Sequence, residues 1–360
     1  IVQASRSLIA ELSASGTRIN REYETVPALA LRVDKAGLEI LQQSSHVRLI
    51  NEDALSVPSL TQSAPLIGAP GAWASGYDGS GWAVAVLDTG IDTSHAFFRN
   101  QSNNSRIVAQ ACFSLAADAN TNSLCPNGNN SQTGPGSADV MTSVCRPSGN
   151  QICDHGTHVA GIAAGYSSTR KGVAPNASII AIQVFSRFNS SSECSPYPAP
   201  CVMSYTSDQI AGLDYINTTL RNQHQIASVN MSLGGGTFSA YCDGTSASTK
   251  NAIDNLRSNG IATVIATGNG GRTNRIGSPA CISTSIAVSS TTKTDSVSSF
   301  SDVATIMDLF APGSNISSSI PGGGYASYGG TSMATPHVAG AWAIMKQAQP
   351  AATVAQVLNA

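Results

Sequence analysis

The sequence predicts an α/β fold with a mostly parallel central sheet and helices on both faces. Two observations lead to this fold class. From residue 76 onward, short apolar runs typical of buried strands alternate with segments of helical spacing. The connections between them are rich in glycine, as expected where strands and helices follow one another along a parallel sheet. A second, small α+β domain is predicted for residues 1–57, where helical and strand-like runs occur on a more charged background.

The elements of the smaller domain follow from local spacing. We predict helices over residues 5–15 and 35–43 and strands over residues 28–33 and 47–50. Residues 57–70 contain three prolines, which predicts a linker. We therefore divide the chain into domains at 1–57 and 58–360.

Four apolar runs in the larger domain have the composition of buried strands. They span residues 82–87, 178–184, 226–231 and 261–266, with helical segments over residues 208–217 and 246–258 between them. The first run ends directly in Asp88-Thr89-Gly90. Functional groups gather at the carboxyl ends of strands in open parallel sheets, so Asp88 occupies a position typical of a site residue. Asp followed by Thr-Gly is also an ordinary turn sequence.

The third and fourth runs lead into glycine-rich segments. These are Ser232-Leu233-Gly234-Gly235-Gly236 and, directly after Ala266, Thr267-Gly268-Asn269-Gly270-Gly271. Where side chains are missing, the backbone of an extended peptide can approach closely and hydrogen-bond as an added strand. We therefore expect an open peptide channel here. Asn269 offers an amide donor beside it, although asparagine is equally common in left-handed turns.

Two histidines, His155 and His158, open a segment of small residues with helical spacing. Histidines three residues apart can ligate a metal, but the segment lacks the Glu of an HExxH motif and a third ligand is not evident. The alternative is a general base at the helix start, with His158 as a packed or hydrogen-bonded neighbour. We favour the base and predict no metal ligand here.

Residues 329–340 read GGTSMATPHVAG and place Ser332 at the start of an apolar, alanine-rich helix. A serine there is presented outward, and its backbone N–H belongs to the unpaired donors of a helix N-terminus, where an oxyanion can bind. This is a position suited to a nucleophile. A Gly-Thr-Ser helix cap is the plainer interpretation.

The composition excludes several classes of function. Only 11% of the 360 residues are charged and the formal net charge is −2, so we expect neither a nucleic acid nor a membrane as partner. The eight cysteines lie in the middle of the chain without CxxC spacing. We interpret them as disulfides of an exported protein, with buried free thiols as the alternative. We hypothesise the pairs Cys194–Cys201 and Cys242–Cys281. The other four cysteines are expected to hold one loop region together.

Together, the candidates supply an acid, a histidine, an amide donor and a serine. A serine hydroxyl is a weak nucleophile, so a histidine must take its proton and a carboxylate must orient that histidine. The chain order Asp, His, Ser is that of subtilisin, unlike chymotrypsin or the α/β-hydrolases. A lipase of the latter type would need a GxSxG elbow and a later histidine, and His337 is too close to Ser332 in sequence.

Five segments resemble the motif set of the subtilisin-like serine proteases, or subtilases. They are VAVLDTGID, HGTHVAG, NMSLGGG, ATGNGG and GTSMATPHVAG, in that order along the chain. The resemblance runs from about residue 59 to the end. It implies a subtilisin-like fold in which Asp88 orients His155, His155 is the general base and then acid, Ser332 is the nucleophile, and Asn269 is the oxyanion-hole side chain.

The resemblance also implies how substrates are held. Six residues would flank the pocket for the side chain on the acyl side of the scissile bond: Ser232, Leu233, Gly234, Ala266, Thr267 and Gly268. Because these walls are apolar or bare backbone, we expect large apolar substrate residues there and broad selectivity. The implied partners are protein or peptide substrates, and the protein is expected to be a secreted monomer. A non-catalytic peptide-binding protein with a subtilase fold is the alternative function.

Residues 1–57 resemble the inhibitory prosegment of the family, carrying the strand VPALALRV. It would act as an intramolecular inhibitor and be removed by the enzyme itself, with a junction between residues 51 and 62. We expect the prosegment to be N-terminally incomplete and the catalytic domain to be cut short at its C-terminus. No cofactor is implied for catalysis. Structural calcium is left open, because Asp92 matches a position that ligates calcium in some relatives.

Overall fold

The chain divides into two units, Ile1–Val57 and Pro58–Ala360. The structure, a computed structural model, describes residues 2–4, 8–12, 16–22, 28–50 and 60–360. The predicted junction at residues 51–62 therefore lies largely outside the described residues.

The described residues of the smaller unit form four antiparallel strands and two helices. Its elements are β1 (Val2–Ala4), α1 (Leu8–Leu12), β2 (Arg18–Glu22), β3 (Ala28–Arg32), α2 (Lys35–Gln43) and β4 (Val47–Ile50). The strand order is β2-β3-β1-β4, and Leu8, Leu12, Leu29 and Leu41 form the buried core. The helix predicted over residues 5–15 is described only as α1, since residues 5–7 and 13–15 lie outside the described part.

The larger unit contains the remaining elements. Its helices are α3 (Leu60–Leu66), α4 (Ala69–Ala74), α5 (His155–Ala164), α6 (Ser191–Cys194), α7 (Thr206–Thr218), α8 (Ala247–Ser258), α9 (Thr331–Ala348) and α10 (Val354–Leu358). Its strands are β5 (Ala83–Asp88), β6 (Ile107–Phe113), β7 (Thr121–Ser123), β8 (Ser131–Thr133), β9 (Ser178–Gln183), β10 (Ser186–Phe188), β11 (Cys201–Met203), β12 (Ile226–Met231), β13 (Gly235–Phe238), β14 (Ala262–Ala266), β15 (Ile276–Ser278), β16 (Ile286–Thr291), β17 (Leu309–Pro312), β18 (Ile316–Ile320) and β19 (Gly324–Tyr328).

Eight of these strands form the predicted sheet, in the order β17-β16-β14-β12-β5-β9-β6-β8. Neighbouring strands are parallel except β8, which runs antiparallel to β6 at the edge. The four strands predicted from apolar runs are β5, β9, β12 and β14, which are adjacent in the sheet. Central parallel strands are covered on both faces, so their sequences are apolar without alternation.

Helices cover both faces of the sheet, as predicted. Val84 and Val86 of β5 belong to a core shared with α5 and α9. Ala85 and Leu87 of the same strand belong to a second core shared with α7 and α8. Alternate residues of a strand point to opposite faces, which is why one apolar run serves both cores.

The predicted linker is wrong for most of its length, because α3 and α4 occupy residues 60–74 of the larger unit. Proline interrupts a helix only where it removes an intrahelical hydrogen bond. Pro70 lies in the first turn of α4, where the N–H has no intrahelical partner in any case. Gly68, with φ at 76°, makes the turn between the two helices. Pro70 therefore marks the start of α4, whereas Pro65 lies inside α3, one residue before its end.

All eight cysteines are paired. The structure forms both hypothesised disulfides, Cys194–Cys201 and Cys242–Cys281. The other four form Cys112–Cys125 and Cys145–Cys153, both within the long irregular segment between β6 and α5. In the described part of the chain, every helix is too short or too polar to cross a membrane.

Candidate active site

Asp88 is the last residue of β5 and is completely buried. Its Oδ1 accepts from the backbone N–H of Thr89 and from Nδ1 of His155, both at 2.8 Å. The hydroxyl of Thr89 accepts from the N–H of Gly156 at 2.9 Å, which joins the end of the strand to the first turn of α5. A Cβ on Gly156 would lie 2.2 Å from the carbonyl oxygen of Gly90. Only glycine allows this approach between the two backbones.

His155 is the first residue of α5, and its side chain is 30% exposed. Since a carboxylate can only accept, Nδ1 carries the proton of the bond to Asp88, and Nε2 is left to take a proton. Burial alone would lower the pKa of His155. The charge and hydrogen bond of Asp88, with a smaller contribution from Asp154, outweigh burial and raise the pKa above its ordinary 6.5.

Ser332 lies in the first turn of α9, directly after Gly330 and Thr331. Its hydroxyl donates to the carbonyl oxygen of Ser232 at 3.2 Å, so in this arrangement its proton is not donated to His155. The hydroxyl of Ser232 donates back to the carbonyl of Ser332 at 2.8 Å. Both bonds tie the start of α9 to the loop after β12.

Asn269 follows β14 and faces the start of α9. Its Oδ1 accepts from the N–H and the hydroxyl of Thr331, at 2.8 and 3.0 Å. This leaves the NH₂ group as the donor that a ligand can use. A Cβ on Gly330 would lie 3.3 Å from that nitrogen, which places the amide beside the residue preceding Thr331.

The buried side chain of Asp302 fixes the loop that carries Asn269. Asp302 is 2% exposed and accepts from the backbone N–H and the guanidinium of Arg272, at 2.8 and 2.9 Å. Its own N–H donates to the carbonyl of Gly268 at 2.9 Å. The glycine-rich loop is therefore fixed at both ends.

His155, Asn269 and Ser332 line one cleft of about 770 Å³. Five of the predicted substrate-binding residues line it as well: Ser232, Leu233, Gly234, Ala266 and Gly268. Thr267 differs, because its side chain is completely buried and donates to the carbonyl of Asp302. Among the residues that line the cleft, His155 alone is ionisable.

Several other residues of the cleft wall were not predicted from the sequence. Phe185, Val202 and Met203 line one part of the cleft, and Thr245, Ser246, Ser278 and Pro279 line another. Phe185 could have been found, since it closely follows the carboxyl end of β9 in a parallel sheet. Val202 and Met203 belong to the three-residue strand β11, and no local pattern marks them.

Asp92 does not have the surroundings of a calcium ligand. Its Oδ1 accepts from the N–H and hydroxyl of Ser94, and its Oδ2 accepts from the N–H of Gly322 at 2.8 Å. Within the described residues, no three His, Cys, Asp or Glu side chains gather as metal ligands. Three protein donors therefore bond to this carboxylate.

The geometry supports activation of a serine hydroxyl. An imidazole is fixed on a buried carboxylate, a serine lies at a helix N-terminus in the same cleft, and an amide donor faces that terminus. These are the groups that acyl transfer requires.

The chain is similar to known proteins over most of its length. The sequence profile described as "Subtilase family" matches residues 79–360. Subtilisin NAT from Bacillus subtilis subsp. natto is 32% identical over 355 residues, which cover 96% of this chain and 77% of that protein. An alkaline protease from Alkalihalobacillus alcalophilus is 33% identical over 344 residues, covering 94% of this chain and 74% of that protein. A crystal structure of a cold-adapted subtilisin-like serine proteinase aligns with a TM-score of 0.54 at 30% identity, covering 79% of this chain and 81% of that one.

Proposed function

Because this chain belongs to the subtilase family and is a serine endopeptidase, we propose that Asp88, His155 and Ser332 are its catalytic triad. The observation that carries the proposal is the 2.8 Å bond between His155 Nδ1 and the buried Asp88, in the cleft that Ser332 also lines. Subtilases need no cofactor for catalysis, and these side chains suffice for the reaction.

The mechanism starts with a rotation of the Ser332 hydroxyl from Ser232 toward His155. Nε2 of His155 takes the hydroxyl proton as Oγ attacks the scissile carbonyl carbon. Asp88 holds the tautomer and stabilises the imidazolium. The backbone N–H of Ser332 and the NH₂ of Asn269 donate to the oxyanion. His155 then gives its proton to the leaving amine, and water hydrolyses the acyl-enzyme by the same steps.

The neutral cleft supports a preference for large apolar residues on the acyl side. Ser232, Leu233, Gly234, Ala266 and Gly268 offer apolar surface or bare backbone, and no carboxylate lines the cleft to pair with a lysine or arginine. We propose broad selectivity within that preference. Thr267 does not line the cleft, and its backbone N–H and carbonyl bond to Val288 and Gly277.

Residues 1–57 are proposed to be an inhibitory prosegment that the enzyme removes itself. Their contacts form a unit of their own, and the family resemblance gives them this role. The protein is proposed to act outside the cell, where its four disulfides are stable.

The test is labelling with a fluorophosphonate, which reacts only with an activated serine, on protein incubated until the prosegment is released. Peptide mass mapping is expected to find the adduct on Ser332, and His155→Ala is expected to abolish it. The precursor of Ser332→Ala is expected to stay uncut. A folded, prosegment-free protein that takes no label would favour the alternative, a subtilase-fold protein that binds peptides without cutting them.

A further inference from the structure

Tyr328 joins strand β19, which leads to Ser332, to helix α5, which begins with His155. Its hydroxyl donates to Oδ2 of Asp154, the residue directly before His155. Its ring stacks on His158, with the ring centroids 4.3 Å apart and the planes 17° from parallel. Nε2 of His158 donates to the carbonyl of Ala326 at 3.0 Å. Strand β19 and the first turn of α5 are thus joined at three points.

Asp154 departs from the usual behaviour of its position. It is the N-cap residue of α5, and an aspartate there normally accepts from a backbone N–H of the first helical turn. No such bond forms; the backbone of Asp154 is helical rather than extended, and its Oδ2 accepts from Tyr328, 174 residues away in sequence. The Asp154 carboxylate bonds to Tyr328 and not to the N–H groups of α5, which indicates a role other than capping the helix.

Within the described residues, few ionisable groups act on the His155 ring. Asp88 approaches from β5, Asp154 directly precedes α5, and His158 lies on α5. Burial lowers the pKa of His158 to about 4, so the His158 ring is neutral at neutral pH. Strands β9 and β18, also packed on α5, contain no ionisable side chain. Asp154 is therefore the second negative charge that His155 experiences.

The ionisable groups of α9 have partners of their own. His337 bonds to the carbonyl of Met333. Lys346 donates to the carbonyls of Pro350 and Ala352. Asp92 joins α5 through its backbone N–H, which donates to the Thr157 hydroxyl, and its carboxylate accepts from Ser94 and Gly322. Asp88 and Asp154 are the carboxylates that act on the charge of His155.

Resting on the proposed triad, we propose that Tyr328 is a positioning residue: its hydroxyl holds the Asp154 carboxylate at the start of α5, directly before the catalytic base His155. A fixed negative charge favours the imidazolium form. The same charge stabilises the imidazolium that forms when Ser332 gives up its proton. Without the Tyr328 hydroxyl, the Asp154 side chain is free to turn to solvent or to cap α5, and its effect on the ring declines.

The test is the pH dependence of kcat/KM for a short chromogenic peptide in a double-mutant cycle. Asp154→Asn is expected to lower the pKa of the acid limb by about 0.3–0.6 unit, the effect of one charge roughly 5–10 Å away through solvent. Tyr328→Phe is expected to shift the limb in the same direction by at most that amount. The double variant is expected to match Asp154→Asn, because the hydroxyl acts only through the carboxylate. KM is expected to stay within about twofold.

Tyr325→Phe is the matched control. Tyr325 lies on the same strand, is 37% exposed and lies under the guanidinium of Arg170. It lacks the link to Asp154, so its variant is expected to keep the wild-type acid limb.

A second readout does not depend on turnover. Titration of the His155 ring protons by NMR, on protein from which the prosegment has been released, is expected to show the same order of pKa values among the variants. An unshifted His155 in Asp154→Asn, or a Tyr328→Phe shift that persists when Asp154 is already Asn, would overturn the proposal. If Tyr328→Phe does not fold, Asp154→Glu moves the charge by one methylene and is expected to give a partial shift. Wild-type protein without activity or label would instead contradict the triad, while the NMR titration still decides the role of Asp154.

Discussion

Replacing Gly156 by alanine tests whether the contact between two backbones sets the geometry of the base. The added Cβ would lie 2.2 Å from the carbonyl oxygen of Gly90 and 3.2 Å from Cβ of Asp88. A carbon and an oxygen that are not bonded need more than 3 Å, so the start of α5 must retreat by roughly 1 Å. That movement draws His155 away from Asp88 and lengthens their 2.8 Å bond.

Two effects of Gly156→Ala are expected. A displacement of about 1 Å at catalytic groups costs about 10²-fold in rate, so kcat/KM is expected to fall by that factor. The pKa of the acid limb is expected to fall as well. Asp88 raises the pKa of His155 in the wild type, and weakening that interaction moves the pKa back toward 6.5. Overpacking is expected to lower the free energy of unfolding by about 1–3 kcal/mol.

The assay is a pH profile of kcat/KM on protein shown to be folded by circular dichroism. Gly71→Ala is the matched control, since its Cβ would meet no atom within 4 Å in α4. We expect that variant to keep full activity and to be slightly more stable. Activity of Gly156→Ala within about threefold of wild type, with an unshifted acid limb, would refute the reasoning.

Three further predictions concern the oxyanion donor, the cleft and the disulfides. Asn269→Ala is expected to lower kcat by about 10²–10³-fold with little change in KM, as found for other oxyanion-hole donors; equal losses in binding and turnover would contradict this role. A peptide with phenylalanine on the acyl side is expected to exceed its lysine counterpart in kcat/KM by at least about tenfold, because the cleft has no carboxylate to pair with an ammonium; a preference for lysine would show that the cleft is not the acyl-side pocket. Removing Cys242–Cys281, which closes 39 residues, is expected to lower the free energy of unfolding by about 4 kcal/mol, against about 2 kcal/mol for Cys194–Cys201, which closes 7; calorimetry that gives the reverse order would rule out loop closure as the main cause.

The sequence was most informative where one physical requirement dominates. Strands β5, β9, β12 and β14 are buried on both faces, so each reads as an uninterrupted apolar run. Helix α8 was predicted within one residue at its start. The candidate catalytic residues were visible because each lies near the end of a strand or the start of a helix, within two residues of a glycine.

Other elements left no comparable pattern. Strands β7, β10 and β11 have three residues each, too few to show a period. The hairpin of β18 and β19 consists largely of serine, glycine and tyrosine, which resembles a loop in composition. The partners of a side chain are harder still to predict. Asp154 looks like a helix cap in sequence, and its bond to Tyr328 depends on how two distant segments pack.

The origin of the cleft walls separates chemistry from selectivity. Asp88, His155 and Ser332 lie at the ends of elements embedded in the central sheet and its covering helices. Val202 and Met203 directly follow Cys201, at the end of a short segment closed by its own disulfide. Both residues belong to β11, which pairs with β10 in a small sheet separate from the central one. Substitutions at Val202 and Met203 are therefore expected to change the substrate preference while leaving the catalytic groups in place.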